Sequence, residues 1–254
     1  MSSEFSIILE EFDEELEAIR AVILAFSDPK AGTPKTRVAS VNSATLLLAA
    51  TFEEFVREMA RTYARSVVRS SKRFEEIPKK IASTAWKRSM EYLARLHIDI
   101  GDKSSSHEAL FSDALARFNA IYEFCRGDLT QDVYKDLIHN EHNMRPNEIN
   151  GLFKVSDLTN ICRAVCDKKP LLDTFSETQP EKTHGQLLSG LEDFFERRNQ
   201  IAHSIAIMRS SGPDLVLKDI NLLSQFGKAL CETLETVVPR PKDRAVSERP
   251  SADL

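Results

Sequence analysis

The stretch LLSGLEDFFERRNQIAHSIAI, residues 187–207, decides the fold because its apolar residues recur at intervals of three and four. That spacing places them along one side of an α-helix. They are Leu187, Leu188, Leu191, Phe194, Phe195, Ile201, Ala202 and Ile205. Arg198 interrupts the line where Leu or Phe would be expected, and a guanidinium on a core-facing position must find an acid, backbone carbonyls or a phosphate. The helix therefore carries a polar site beside the core.

A second line on this helix is polar. Its members are Glu192, Glu196, Asn199 and His203. His203 follows Arg198 by five residues, which separates the two by about 140° around an ideal helix. The two side chains therefore need not aim at one point from a single chain.

The run Arg198-Asn199-Gln200-Ile201-Ala202-His203 resembles the RNxxxH signature of the HEPN superfamily, in which an Arg and a polar residue precede a His four to six positions after the Arg. Two further stretches are similar to segments of its RiboL-PSP-HEPN branch. They are NSATLLLAATFEEFVREMARTYA, residues 42–64, and NMRPNEINGLFKVSDL, residues 143–158. The first matches an early helix with an aromatic-acidic patch, and the second an Arg-Pro-rich turn before a short helix.

The resemblance implies an all-α, HEPN-type antiparallel helical bundle with extra helices. It also implies a homodimer in which both motif copies meet in one cleft. Composition agrees with the fold class, since the 254 residues include only 8 glycines and alternating runs typical of strands are nearly absent. We expect a single domain over residues 1–238.

The motif residues suit metal-independent RNA cleavage. Imidazole changes charge near neutral pH, so His203 suits proton transfer. The planar fork of Arg198 suits a phosphate, and Asn199 could orient His203 or the scissile phosphate. One chain supplies a single such His. The family resemblance implies that the partner copy supplies the second, and that cleavage leaves a cyclic phosphate and a 5′-hydroxyl. Without RNA, Glu196 is expected to pair with Arg198 or Arg197.

A non-catalytic interpretation stays open. Arg198 could pair with a buried acid and His203 could cap the helix, leaving the motif as a packing device. Several HEPN proteins are non-catalytic modules that bind a nucleotide or a partner protein. The endoribonuclease is the favoured hypothesis, and the branch resemblance adds a toxin or antiviral defence role with an antitoxin or defence-system partner.

Charge is distributed unevenly, although the net charge is −5. Residues 1–17 hold seven acids and no Lys or Arg, whereas residues 57–95 hold eleven bases against four acids. Four arginines of that basic region lie one helical turn apart: Arg57, Arg61, Arg65 and Arg69. One interpretation is a solvated face whose charge is neutralised by nearby acids or by the acidic first helix. The other is a track that binds RNA phosphates, with Arg197 as a further RNA contact.

Helix signals predict the boundaries. A first helix capped by Ser2 or Ser3 runs to about Phe26, a second spans residues 40–70, and a third spans 81–98 with Trp86 in the core. Residues 167–183 read as a mobile linker that could gate the site, and a last helix covers 219–238. The tail, residues 239–254, is predicted to be disordered.

No metal site or cofactor is expected. Cys162 and Cys166 lie one turn apart without further ligands nearby, and His139 and His142 lack a standard zinc spacing, so a core pair and a surface loop are favoured. No leader peptide and no apolar run of about 18 residues is evident, which predicts a cytoplasmic protein without membrane contact.

Overall fold

Helices make up the regular structure of the chain. The computed structural model describes residues 3–28, 30, 32–97, 105–140, 142–203 and 212–239. The helices are α1 (Glu4–Ser27), α2 (Pro34–Ser70), α3 (Lys79–Arg95), α4 (Ser105–Cys125), α5 (Tyr134–Leu137), α6 (Pro146–Lys154), α7 (Ile161–Ala164), α8 (Lys169–Phe175), α9 (Pro180–His203) and α10 (Pro213–Val237). No strand occurs in these ranges, which confirms the predicted all-α class.

The first two helices begin at side-chain caps. Ser3 Oγ accepts the backbone N–H of Ser6 at 3.0 Å, as the predicted cap of α1 requires. Helix α2 starts at Pro34, six residues earlier than predicted, because Thr33 Oγ1 accepts the N–H of Thr36 at 3.2 Å. Proline at the first helical position has no N–H to satisfy, so it starts this helix rather than breaking it.

Helices α1, α2, α9 and α10 form an antiparallel bundle. As the residue number rises along α1, the residues that it contacts on α2 and on α10 fall in number, so α1 is antiparallel to both helices. The contacts are Glu4 to Arg69, Phe12 to Phe55, Ser3 to Glu235 and Asp13 to Ser224. Between α9 and α10 the order is again reversed, since Gly190 lies against Leu222 whereas Arg197 pairs with Asp219.

Phe52 of α2 stands at the centre of this bundle. Its fully buried ring lies 6.2 Å from that of Phe195 on α9 and 5.5 Å from that of Phe226 on α10. One connected set of buried side chains extends from Phe5 to Leu234. The predicted apolar line of α9 is part of it, because Leu187, Leu191, Phe194 and Phe195 are fully buried.

The predicted linker over residues 167–183 is wrong. Helix α8 occupies Lys169–Phe175, and α9 already begins at Pro180, seven residues before the quoted stretch. Leu171 is fully buried in the core, and Ser176 takes a left-handed conformation that ends α8. The segment is therefore a packed helix and not a mobile gate. Burial of Leu171 and a proline in the first turn stabilise this helix despite the polar composition of the segment.

Trp86 also departs from its predicted place in the core. It is 40% exposed, because the buried line of α3 runs through Ile81, Ala85 and Ser89. Helix α4, which packs on α3, turns Ile121 and Phe124 inward. The same helix leaves four large side chains exposed: Phe111, Leu115, Phe118 and Tyr122.

Helix α10 starts at Pro213, earlier than the predicted 219, and ends at Val237. The predicted disordered tail lies outside the described residues apart from Pro239, and so does the end of the quoted stretch beyond His203. Within the described ranges, no helix is both long enough and apolar enough to cross a bilayer.

Candidate active site

The three motif residues line one cleft of about 480 Å³. The last turns of α9 supply Arg198, Asn199 and His203, and the segment that enters α6 forms the opposite wall. That wall and the upper part of α9 contribute His142, Asn143, Arg145, Asn147, Glu148 and Glu192. The angular separation of Arg198 and His203 on the helix therefore does not keep them from facing the same space.

Asn199 is fixed by two donors. Its Oδ1 accepts a 2.6 Å hydrogen bond from Nδ2 of Asn143 and a 3.3 Å hydrogen bond from Nη1 of Arg198. With its oxygen occupied in this way, the amide nitrogen of Asn199 is the group left to donate. The sequence did not single out Asn143, which lies 56 residues away along the chain.

Arg198 carries its charge into the cleft without an acid partner. Its Nε is buried and has no hydrogen-bond acceptor, and it forms no salt bridge among the described residues. A guanidinium that lines a cleft without an ion pair is able to bind an anionic ligand through its remaining N–H groups. Among the described residues Arg198 therefore forms no salt bridge with a buried acid, although its charge interacts with that of the partly buried Glu53.

Glu53 of α2 is the acid whose charge interacts with Arg198. Burial raises the pKa of the Glu53 carboxyl above its ordinary value, while the N–H of Met144 and the charges of Arg198 and Arg57 oppose that shift. Glu53 Oε1 accepts the backbone N–H of Met144 at 3.4 Å. The sequence pattern did not connect Glu53 with the motif.

Arg145 ties the segment before α6 to α9. Its guanidinium donates to Glu192 and, at 3.2 Å, to Glu196. Glu196 therefore pairs with Arg145, and the predicted pairing of Glu196 with Arg198 or Arg197 is wrong. Oε2 of Glu196 accepts from Arg145, a contact that helical spacing could not reveal, while Oε1 accepts a 3.4 Å hydrogen bond from Nε2 of Gln200 on the same helix.

A second imidazole borders the cleft. His142 and His203 line the same cavity, and both are exposed. The sequence offered His142 only as a weak metal ligand or a loop residue. Among the described residues, no three His, Cys, Asp or Glu side chains converge as a metal site would require.

The lower half of the arginine ladder on α2 is held by acids. Arg57 and Arg61 reach Glu54 at 2.7 and 2.9 Å, and Arg61 also pairs with Glu58. Arg57 additionally donates to Oδ1 of Asn140 at 3.0 Å, which anchors the segment that walls the cleft. These contacts correspond to the ion-paired interpretation of the ladder, and an RNA contact stays a prediction.

The upper half is engaged as well. The guanidinium of Arg65 lies 5.2 Å from the ring centroid of Tyr134, and Arg69 pairs with Glu4 of α1 at 3.2 Å, where both side chains are well exposed. Exposed pairs of this kind contribute little and open easily, so Arg69 remains available for a competing anion.

Arg197 faces away from the cleft. Its Nη2 donates to both carboxylate oxygens of Asp219 on α10, at 2.6 and 2.7 Å, and it lines a different cavity. Asp219 is almost completely buried. The predicted RNA contact of Arg197 would have to compete with this pair.

The three segments that carried the family resemblance meet at this cleft. The turn before α6 supplies Asn143 and Arg145 and α9 supplies the motif, while Glu53 of α2 accepts the N–H of Met144 in that turn. The model of the RiboL-PSP-HEPN family matches residues 10–238. The chain belongs to the RiboL-PSP-HEPN family. Searches of curated proteins and of solved structures return no match.

Membership of this HEPN family confirms the predicted fold, and it indicates a nuclease-like or RNA-related module.

The buried cysteines take no part in the site. Cys162 and Cys166 are fully buried, and the Cys166 thiol donates to the carbonyl of Cys162 at 3.0 Å. Burial raises the pKa of Cys162 to about 12, so this thiol stays protonated and unreactive at neutral pH.

Proposed function

We propose that this chain is a metal-independent HEPN endoribonuclease that cuts RNA at a composite site in a homodimer. The observation that carries the proposal is Arg198, whose partly buried side chain lines a cleft shared with His203 and forms no salt bridge among the described residues. A phosphate would supply acceptor oxygens and a negative charge to this side chain.

The reaction requires a proton to leave the 2′-hydroxyl of the substrate and another to reach the departing 5′-oxygen. His203 of one protomer takes the first proton, the 2′-oxygen attacks phosphorus, and the bond to the 5′-oxygen breaks. The second imidazolium, His203 of the other protomer, protonates that oxygen. The products are a 2′,3′-cyclic phosphate and a 5′-hydroxyl.

Arg198 stabilises the charge that develops on the phosphate oxygens, because its fork can donate two charge-assisted hydrogen bonds. Asn199 is oriented by Asn143, which leaves its amide N–H₂ free to donate to a second phosphate oxygen or to hold the imidazole. Groups held in this way lose little conformational freedom when the substrate binds.

The test uses Arg198→Ala and Arg198→Lys. Alanine should lower RNA cutting by at least about 100-fold, as loss of one transition-state donor does. Lysine keeps the charge but not the fork and should recover only a small part. Equal cutting by wild type and both variants would contradict the role of Arg198, provided circular dichroism shows that all three fold.

A second candidate is a non-catalytic module that binds a nucleotide or a partner protein. It is favoured by the acids around the cleft, since Glu148, Glu192 and Glu196 offset the positive charge and Arg145 is already paired with two of them. In that case His203→Ala would change ligand affinity, and no RNA cleavage would be found with wild type.

We also propose that the activity serves as a toxin or an antiviral defence effector restrained by an antitoxin or another partner protein. Expression of the wild type should then slow growth of the host, and His203→Ala should remove the effect at equal protein level. Harmless overproduction in several hosts, without any added partner, would contradict this role.

A further inference from the structure

A second cavity of about 590 Å³ adjoins the candidate active site. It lies among α3, α4, α5 and the segment before α6, and it shares His142 and Glu148 with the motif cleft. Its other lining residues are Arg88, Glu91, Tyr92, Arg95, Arg117, Lys135, Asp136, His139 and Asn140. The two cavities therefore form neighbouring parts of one surface depression.

The charge of this second cavity favours an anion. Four arginine and lysine side chains line it against three carboxylates. Lys135 is exposed and makes no ion pair within the described residues. Arg88 is fixed in place by a 2.5 Å hydrogen bond from its Nη1 to the carbonyl oxygen of Leu137.

An aromatic platform stands beside these cations. The guanidinium of Arg117 lies 3.6 Å from the ring centroid of Tyr92, and Tyr92 is 41% exposed. Oδ1 of Asp136 pairs with Nη1 of Arg117 at 2.9 Å, and its Oδ2 accepts a 2.8 Å hydrogen bond from the hydroxyl of Ser89. These contacts fix the position of Arg117 against Tyr92. Planar groups of this kind stack with the faces of unpaired bases.

We propose that this cavity binds nucleotides of single-stranded RNA next to the scissile phosphate, with an unpaired base stacked on Tyr92 and Arg117 and a flanking phosphate on Lys135. The proposal rests on the proposed RNA-cutting function and names the form of its substrate. A duplex would keep its bases stacked inside and could not use the platform. The cavity would thus select single-stranded or looped RNA.

The test measures binding by full-length protein carrying His203→Ala, which does not cut, to a fluorescein-labelled 12-nucleotide single-stranded RNA and to a 12-base-pair RNA duplex. Tyr92→Ala should weaken binding of the single strand by about tenfold or more, the usual effect of losing one stacked base. Tyr92→Phe should restore it, because the ring is retained.

Lys135→Glu should weaken binding of the same RNA and lower the slope of log Kd against log salt by about one, as the loss of one phosphate contact does. The matched control is Lys182→Glu, the same charge change on an exposed lysine of α9 that lies about 24 Å along the helix from Arg198. It should change the affinity less than twofold.

Unchanged affinity in Tyr92→Ala and Lys135→Glu would overturn the proposal, as would equal losses in Lys182→Glu or tighter binding of the duplex than of the single strand. Cleavage by wild type is scored separately. If the wild type cuts RNA but Tyr92→Ala and Lys135→Glu bind it as tightly as before, only the cavity proposal is overturned. If these variants bind RNA more weakly but the wild type does not cut it, only the proposed nuclease is overturned.

Discussion

Asn143 donates a 2.6 Å hydrogen bond from its Nδ2 to Oδ1 of Asn199, and this contact joins the turn before α6 to the motif helix. It gives the central residue of the motif a fixed orientation. A side chain held by a neighbour of this kind is positioned before any ligand arrives.

Asn143→Ala should therefore lower RNA cutting by about tenfold, because Asn199 keeps only the longer hydrogen bond from Arg198. The free energy of unfolding should fall by about 1 kcal/mol for the lost hydrogen bond. Initial cleavage rates and urea unfolding measure the two effects. Asn119→Ala, an exposed amide on α4, is the control and should change neither.

Arg197→Ala should destabilise the fold by about 3 kcal/mol, since it leaves the buried carboxylate of Asp219 without its partner. Urea unfolding measures the loss, with Arg20→Ala at an exposed pair as a control that should stay within about 0.5 kcal/mol. An unchanged unfolding free energy together with weaker RNA binding would instead support the RNA contact predicted for Arg197 from the sequence.

Glu53 makes stability depend on pH in a defined direction. Burial raises the pKa of its carboxyl in the folded state, so the folded chain holds a proton that the unfolded chain has lost. The free energy of unfolding should therefore fall as the pH rises from about 4.5, the ordinary pKa of glutamate, through the folded pKa.

Glu53→Gln has no such proton to lose. Its stability relative to the wild type should grow over the same pH range and then become constant. Urea unfolding at pH values from about 4 to 7 tests this, with exposed Glu10→Gln as a control expected to track the wild type. A relative stability that falls with rising pH would show that Arg198 and Arg57 outweigh burial.

Dimerisation can be tested by mixing. If the site needs His203 from both copies, a fourfold excess of His203→Ala should reduce the cutting by a fixed amount of wild type by about fivefold after subunit exchange. An inert protein at the same excess should have no effect. Undiminished cutting with complete exchange, shown by mass measurement of mixed dimers, would assign the whole reaction to one chain.

Much of the bundle could be predicted from the sequence. Ser3 caps α1 as expected, and the apolar line of Leu187 to Phe195 is buried, because a long stripe at helical spacing has one stable solution. Two predictions failed: Trp86 is exposed instead of buried, and α8 is a packed helix instead of a linker. Their burial depends on which neighbour packs beside them, and this information is absent from a local pattern.

The motif could also be predicted, but its surroundings could not. Arg198 and His203 were identified by type and spacing within one helix. Asn143, Arg145 and Glu53 reach them from other parts of the chain, and their roles depend on how α2 and the turn before α6 lie against α9. Spacing along a sequence carries no information about such contacts.

The most direct test of the proposed nuclease incubates purified wild type and His203→Ala with a mixed RNA pool in EDTA and then identifies the ends. Cutting by the wild type alone, with 2′,3′-cyclic-phosphate and 5′-hydroxyl ends, is the expected result. Cutting that persists in His203→Ala, or that appears in the wild type only when a divalent metal replaces EDTA, would contradict it.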